Sequence, residues 1–300
     1  MTTGATSGIL LVDKPGGITS HGVVARTRKL AGTRKVGHAG TLDPMATGLL
    51  LLGLNSSTRL LTFVVGLDKE YFATIRLGAS TSTDDAEGDV VASADASAIT
   101  AEQIEAGIAP LRGEIEQVPS SVSAIKVDGK RAYTLVREGE TVELKSRRVT
   151  ISAFDVLDVR HDGAFTDVDV RVDCSSGTYI RALARDLGET LGVGGHLTAL
   201  RRTRIGPFSV LDAATLDDLD PAAQLRTPTS TAAALFPVYD ASEQDVVDLV
   251  HGKRIAVPSL VGTAGPIAAV SPEGRLVGLF ELTGDRAKPI VNFPSDEVHA

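Results

Sequence analysis

One carboxylate of the sequence stands in an unusual setting: Asp43, within the segment GHAGTLDPMATG at 37–48. An Asp-Pro dipeptide usually makes a turn, because Asp bonds nearby backbone and the residue before proline is extended. Here three glycines allow a ligand or another chain to approach the backbone closely, and His38 adds a donor. Positions 14–42 contain six basic residues and no acidic one. This combination favours a nucleic-acid pocket with one carboxylate over a simple turn.

Arg181 is a second candidate, in the first turn of a predicted helix. A cation there opposes the helix macrodipole by about 0.3 to 1 kcal/mol, so it should have an anionic partner. Asp43 is one candidate, and an arginine contact would keep it ionised, as a nucleophile requires. The alternatives are pairing with Asp186 or exposure to water. A further basic cluster is either a solvated face or a phosphate-facing surface: Arg201, Arg202 and Arg204.

Other reaction classes find little support in the sequence. The motifs GxxxxGK[ST], GxGxxG, HExxH and GxSxG are missing, so ATP, dinucleotide and zinc chemistry are disfavoured. No cofactor and no metal are therefore expected. The acidic run at 84–89 does not fit a calcium loop and is interpreted as a solvated loop. The single cysteine, Cys174, excludes an internal disulfide, and its place on the apolar side of a strand favours a core role.

The chain of 300 residues carries a net charge of -8, which by itself argues against a polyanionic ligand. The acid is concentrated in residues 211–300, which hold 13 acidic and six basic side chains. No apolar run approaches the roughly 20 residues of a membrane-spanning helix. The N-terminus lacks the basic start of a secretory signal. We expect a cytoplasmic protein without membrane contact.

Hydrophobic periodicity predicts alternating strands and helices, which together indicate an α+β fold. Tyr71 heads the inward face of a strand with period-two alternation, and a Thr-x-x-Gln capping pattern opens a helix at Thr100. Ser20 is the predicted N-cap of an earlier helix that closes at Gly32. The predicted strands are 9–12, 49–54, 71–77 and 168–174, and the predicted helices are 20–31, 58–65, 100–108 and 180–191.

A composition break at 211–236, rich in Ala, Thr, Pro and Asp, marks the expected domain junction. We predict one domain at 1–235, with a basic insertion at about 118–148, and a small β-rich domain at 236–300. The second domain should contain a helix at 243–250 and two strands that meet at a turn, 266–270 and 276–282.

Five ordered segments carry a resemblance to a known family. They are KPGGITS from Lys14, GHAGTLDPMATG at 37–48, KEY at 69–71, SAIK at 123–126 and SSGTYIRALARDLG at 175–188. In this order they resemble the bacterial tRNA pseudouridine synthase B family, the uridine-55 enzymes. The resemblance implies a pseudouridine synthase fold, with a mixed, largely antiparallel sheet core, flanking helices and a PUA-like C-terminal module. It implies an isomerase that converts uridine 55 in the T-arm loop of tRNA to pseudouridine by base flipping.

The same resemblance implies roles for single residues. Asp43 matches the nucleophilic aspartate, and Arg181 its partner. Tyr71 matches a tyrosine that stacks on the base and is a candidate to take the C5 proton. The implied substrate-binding residues are His38, Lys14, Tyr179, Leu200, Gly40 and Thr41. The implied partner is the T-arm stem-loop of tRNA, with no obligate protein partner and a monomeric enzyme.

The same residues are compatible with two other functions. A noncatalytic tRNA-binding or folding protein would use the same basic cleft but would make no product. A carboxylate glycosidase would need two catalytic carboxylates in a matched pair, and the Asp43 and Tyr71 motifs show no such pair.

Overall fold

The computed structural model describes residues 7–120 and 145–294, together with the backbone of 126–127 and 130–131. The predicted insertion at 118–148 therefore lies mostly outside the described residues. The chain divides into two compact units, each described by itself. The first unit comprises Met1–Asp43, Leu49–Val65 and Pro207–Ala300, and the second comprises Pro44–Gly48 and Gly66–Gly206.

The elements follow one another in this order along the chain. The strands are Gly8–Lys14 (β1), Val36–Ala39 (β2), Thr47–Leu54 (β3), Lys69–Leu77 (β4), Ala79–Thr81 (β5), Val90–Ser93 (β6), Gly113–Gln117 (β7), Lys126–Val127 (β8), Lys130–Arg131 (β9), Arg147–Asp162 (β10), Phe165–Cys174 (β11), Gly195–Ile205 (β12), Phe208–Ser209 (β13), Ala214–Thr215 (β14), Val238–Asp240 (β15), Ile267–Val270 (β16), Leu276–Thr283 (β17) and Arg286–Asn292 (β18). The α-helices are Ser20–Leu30 (α1), Leu61–Val65 (α2), Ala101–Ile108 (α3), Ile180–Thr190 (α4), Pro221–Gln224 (α5), Pro228–Leu235 (α6) and Glu243–Val250 (α7).

The first unit is built on strands β14, β1 and β3 in that order, with β2 paired to β3. β1 runs parallel to β14, and β2 runs antiparallel to β3 with His38 opposite Leu52. Helix α1 covers this sheet with Val23 and Val24 because they share its apolar face. The core cluster of these elements is Leu10, Val12, Val23, Val24, Val36, Leu50, Leu52, Leu54, Leu216 and Leu219.

The first unit also contains a small C-terminal sheet, in the order β15, β16, β17, β18. The predicted strands at 266–270 and 276–282 are confirmed as β16 and β17. The predicted helix is confirmed as α7, which opens with a capping box between Ser242 and Asp245, and Gly252 follows it with φ of 76°. Buried Ile267, Val277 and Phe280 form the centre of its core.

The second unit contains an antiparallel run of five strands, β12, β4, β11, β10 and β7. The start of β3 pairs parallel with β12, where Thr47 lies opposite Arg201, so the sheet is mixed and largely antiparallel, as predicted. Burial alternates along β4 and β11. Helix α4 buries its apolar stripe of Ile180, Leu183, Ala184 and Leu187, and α3 opens with the predicted capping box at Thr100.

Gly48 shows why the 37–48 segment needs glycine at its end. Its φ is 101°, and a Cβ atom there would lie 2.2 Å from the carbonyl oxygen of Arg202. Any side chain would therefore push β3 away from β12, so this glycine permits the close approach of another chain segment.

Candidate active site

The loop that carries Asp43 belongs to the first unit and is anchored to helix α1. It leaves β2 at Gly40, whose φ is 75°, and Asp43 itself is half-buried. The hydroxyl of Ser20 donates to the carbonyl oxygen of Leu42 at 3.0 Å and accepts from its amide N–H at 2.9 Å. Ser20 is 1% exposed, so water does not compete for these two hydrogen bonds. Together they fix the backbone immediately before Asp43.

The prediction that Ser20 caps α1 is wrong. Thr19 is the N-cap, and its hydroxyl accepts from the amide of Gly22 at 3.0 Å. Ser20 is the first helical residue, so its side chain is free to reach Leu42. Sequence reasoning missed this role because a hydroxyl beside a helix start is explained first by capping.

Two histidines lie beside each other at the end of β2. His38 is half-buried and His21 of α1 is exposed. Their ring centroids are 5.3 Å apart, with an edge-to-face angle of 81°. Thr41, further along the same loop, is exposed, so this end of the first unit offers polar groups to a ligand.

Lys14, at the end of β1, is fully buried. Its Nζ donates to the carbonyl oxygens of Pro15 at 2.9 Å and Ile18 at 2.7 Å. The ammonium therefore closes the turn that leads into α1. These two hydrogen bonds hold the backbone, and the substrate contact implied by the resemblance stays a prediction.

Tyr71 and Leu200 lie in the second unit, on the buried side of two paired strands. Tyr71 is 7% exposed and Leu200 is 8% exposed. In the register of β4 and β12, Leu200 lies opposite Ala73 and Arg202 lies opposite Tyr71. The sheet therefore brings together an aromatic ring position and an apolar side chain that the resemblance assigns to one pocket.

Arg181 lies in the first turn of α4, as predicted, and has an acidic partner within the second unit. Its Nη1 lies 3.5 Å from Oδ2 of Asp85, with both side chains buried, and donates to the carbonyl oxygen of Thr83 at 2.7 Å. The alternative partner Asp186 is instead bound by Arg185, at 2.7 Å. The pairing of Arg181 with Asp43 stays a prediction.

The interpretation of 84–89 as a solvated loop is wrong for Asp85, which is 2% exposed. Its Oδ1 accepts from the amide of Glu87 at 3.0 Å and from the hydroxyl of Thr83. A buried carboxylate needs such partners because an unpaired charge is costly to remove from water. Asp85 is thus a buried partner of Arg181 that the sequence alone did not reveal.

Tyr179 immediately precedes α4 and is held by Gln117. The side-chain amide of Gln117 donates to the carbonyl oxygen of Tyr179 at 3.0 Å and accepts from its N–H at 2.8 Å. Tyr179 and Arg181 thus both belong to a helix start whose backbone is fixed by Gln117.

The basic cluster at 201–204 does not form a solvated or phosphate-facing surface as a whole. Arg202 is 1% exposed and belongs to the interior. Arg204 pairs with Asp173, and Nη1 of Arg201 lies 3.4 Å from the hydroxyl of Thr47. Alternation along β12 places Arg201 and Arg202 on opposite faces. An irregularity in the pairing between Arg202 and Arg204 interrupts this alternation, so Arg204 is not buried with Arg202.

Two buried titratable groups lie near Tyr71 in this sheet. Burial, with the neighbouring charge of Arg202, lowers the pKa of Lys69 to about 8. Burial raises the pKa of the Cys174 thiol to about 11. Because the thiol stays protonated and is 1% exposed, the predicted core role of Cys174 is confirmed.

Among the described residues, no group of three or more His, Cys, Asp or Glu side chains is arranged to hold a metal ion. In the same part of the chain, no helix is both long and apolar enough to cross a membrane.

Three families of known proteins match different parts of the chain. Residues 28–180 match the TruB family pseudouridylate synthase (N terminal domain). Residues 236–294 match the tRNA pseudouridine synthase II C-terminal domain, and residues 181–241 match the tRNA pseudouridylate synthase B C-terminal domain.

Curated relatives match along nearly the whole chain. The tRNA pseudouridine synthase B of Leifsonia xyli subsp. xyli (strain CTCB07) is 60% identical over 296 residues, which cover 97% of this chain and 98% of that protein. The tRNA pseudouridine synthase B of Arthrobacter sp. (strain FB24) is 57% identical over 300 residues, covering 97% and 98%.

Solved structures agree with this fold. A Cbf5-Nop10-Gar1 complex contains a chain that is 27% identical with a TM-score of 0.72, covering 96% of this chain and 86% of that one. An H/ACA RNP bound to a substrate RNA containing 2'-deoxyuridine gives 26% identity and a TM-score of 0.71, with the same coverage. The fold and the similarity to these families and structures identify the protein as an isomerase of the pseudouridine synthase class. Within that class, the chain belongs to the TruB family of pseudouridylate synthases.

Proposed function

We propose that this chain converts uridine 55 in the T-arm loop of tRNA to pseudouridine, with Asp43 as the catalytic carboxylate. The observation that carries the proposal is the anchored loop at Asp43: Ser20 fixes the preceding residue by two hydrogen bonds, while Asp43 itself keeps part of its surface exposed. A catalytic group needs this combination of fixed backbone and access. The relatives' name, tRNA pseudouridine synthase B, supports tRNA as the substrate.

The proposed reaction breaks the C1'–N1 bond of the target nucleotide, turns the uracil and forms a C1'–C5 bond. The C5 proton leaves and N1 takes a proton, so product and substrate have equal mass and no redox change occurs. A carboxylate can start this sequence by attack on the sugar or base, or by assisting glycosidic cleavage. Asp43 has this task, and the resemblance gives Arg181 the task of partnering it.

The target base must leave its stack before it can react, at a cost of about a few kcal/mol. An apolar pocket with an aromatic wall offsets this cost by stacking. Tyr71 and Leu200 are proposed as two walls of that pocket, in line with their neighbouring positions on the buried side of β4 and β12. Tyr71 is also the candidate to receive the C5 proton. His38, Gly40, Thr41, Lys14 and Tyr179 are proposed to contact or shape the bound nucleotide.

We further propose the domain boundary between residues 235 and 236, and a monomeric enzyme that meets its tRNA substrate in the cytoplasm without an obligate protein partner.

The test is a pseudouridine assay with purified protein and a tRNA transcript, with the modified position mapped by carbodiimide labelling and primer extension. A transcript with cytidine in place of uridine 55 is the matched substrate control. We expect one pseudouridine at position 55 and none in the control. Tight binding of both transcripts without any product would instead support a noncatalytic tRNA-binding protein and overturn the proposal.

A further inference from the structure

Gln117 holds the start of helix α4 from a strand far away in sequence. It is the last residue of β7 and is 1% exposed. Its amide makes two hydrogen bonds to one residue of the chain, accepting from the N–H of Tyr179 at 2.8 Å and donating to the carbonyl oxygen of the same residue at 3.0 Å. The two residues are 62 positions apart, so this contact is tertiary.

The start of α4 needs such a contact because it has no cap of its own. Tyr179 is the N-cap residue, and its side chain makes no capping hydrogen bond. Its carbonyl oxygen also accepts from Ala182 at 3.1 Å, so it begins the helix ladder. Gln117 therefore fixes the residue from which the first turn grows, and Arg181 lies in that turn.

A second bond supports the same arrangement one turn later. Nη2 of Arg185 donates to the carbonyl oxygen of Val118 at 2.8 Å. Two consecutive residues at the end of β7 are thus tied to the first two turns of α4.

The burial of Gln117 is not shared by the rest of β7. β7 is the last strand of its sheet and pairs with β10. Its burial pattern is exposed, exposed, intermediate, exposed and buried from Gly113 to Gln117. Gln117 is therefore the one buried residue of β7. Its amide N–H and its amide oxygen both make a hydrogen bond.

We propose that Gln117 is a positioning residue of the reaction. It fixes the backbone of Tyr179 directly and that of Arg181 through the first turn of α4. The side chains of both residues are thereby held in defined positions. This inference rests on the proposed function, because Tyr179 and Arg181 are residues of the proposed site.

The test compares two substitutions at this position in the full chain. Gln117→Met has similar volume but can make neither bond. Gln117→Glu keeps the shape, and its neutral acid can donate and accept as the amide does, whereas its ionised form can only accept and would face the carbonyl oxygen of Tyr179. Burial favours the neutral form at low pH. Gln103→Glu is the matched control, because Gln103 is exposed and a glutamate serves its capping box equally well.

The measurements are the single-turnover rate of pseudouridine formation with excess enzyme, and tRNA affinity by filter binding, both at pH 6 and pH 8.5. Relative to wild type at the same pH, we expect Gln117→Met to react about 10- to 100-fold more slowly, as misplacement of a site by about 1 Å can cost 10²-fold. Affinity should change by less than about threefold. Gln117→Glu should approach the wild-type rate at pH 6, and Gln103→Glu should match it throughout.

The inference is overturned if Gln117→Met keeps the wild-type rate, or if Gln117→Glu at pH 6 is as slow as Gln117→Met. If Gln117→Met reacts slowly and Gln117→Glu at pH 6 reacts at close to the wild-type rate, the two hydrogen bonds are identified as the cause. Absence of product from wild-type enzyme would defeat the proposed function itself, which distinguishes the two failures.

Discussion

Replacing Ser20 by alanine should loosen the loop that carries Asp43. The hydroxyl makes two hydrogen bonds to Leu42, at 2.9 and 3.0 Å, in a buried position. Alanine removes both hydrogen bonds, so the N–H and the carbonyl oxygen of Leu42 each lose their bond to the Ser20 hydroxyl. The first consequence is a loss of stability, and the second is a carboxylate that samples more positions.

The size of both effects follows from these contacts. Leaving a buried donor or acceptor unsatisfied costs about 1–3 kcal/mol, so we expect the free energy of unfolding to fall by about 2 kcal/mol. Displacing a catalytic group by about 1 Å can cost 10²-fold in rate, so the single-turnover rate should fall about 10- to 100-fold.

Thr19→Ala is the matched control for this experiment. Thr19 caps α1 through Gly22, and losing an N-cap costs about 1 kcal/mol, but Thr19 makes no such bond to Leu42. Urea unfolding followed by circular dichroism measures stability, and single-turnover pseudouridine formation on tRNA measures the rate. Both variants should lose stability, and only Ser20→Ala should lose rate. Equal rates for the two variants would show that the hydrogen bonds of Ser20 to Leu42 do not position Asp43.

Three further predictions concern the second unit. Asp85→Asn should lower the free energy of unfolding by about 3 kcal/mol, because it removes a buried carboxylate charge that pairs with the buried Arg181. The exposed Asp89→Asn is the control, and equal urea midpoints for the two variants would contradict this. Burial lowers the pKa of Lys69 in the folded protein to about 8 from its ordinary value of 10.5, so its charge costs stability below pH 8 and the cost vanishes as pH rises to about 10.5. The stability of Lys69→Met relative to wild type should therefore fall across that window in urea titrations, and a constant difference would exclude the effect. Tyr71→Phe should bind tRNA normally but react slowly; an unchanged single-turnover rate would remove its role in proton transfer.

The sequence predicted features that depend on local pattern. Period-two alternation placed Tyr71 and Cys174 on the buried faces of β4 and β11, as found. The Thr100 capping pattern identified the start of α3. These signals act within a few residues, so they can be recognised without knowledge of tertiary contacts.

The residues that sequence reasoning missed act over long separations. Asp85 pairs with Arg181 from an acidic run whose composition is typical of solvated loops. Ser20 contacts Leu42 across 22 positions, and Gln117 contacts Tyr179 across 62. No local periodicity encodes such a partner, and a polar residue in a loop or at a strand end has the same pattern whether it is exposed or buried.

The role of Asp43 as the catalytic carboxylate is tested by a single substitution, Asp43→Asn. The substitution keeps the shape of the side chain and removes its negative charge. The measurement is pseudouridine formation at uridine 55 of a tRNA transcript under single-turnover conditions, with tRNA affinity measured in parallel. We expect affinity within about threefold of wild type and no detectable product. Pseudouridine formation at the wild-type rate would contradict the assignment of Asp43 as the catalytic carboxylate.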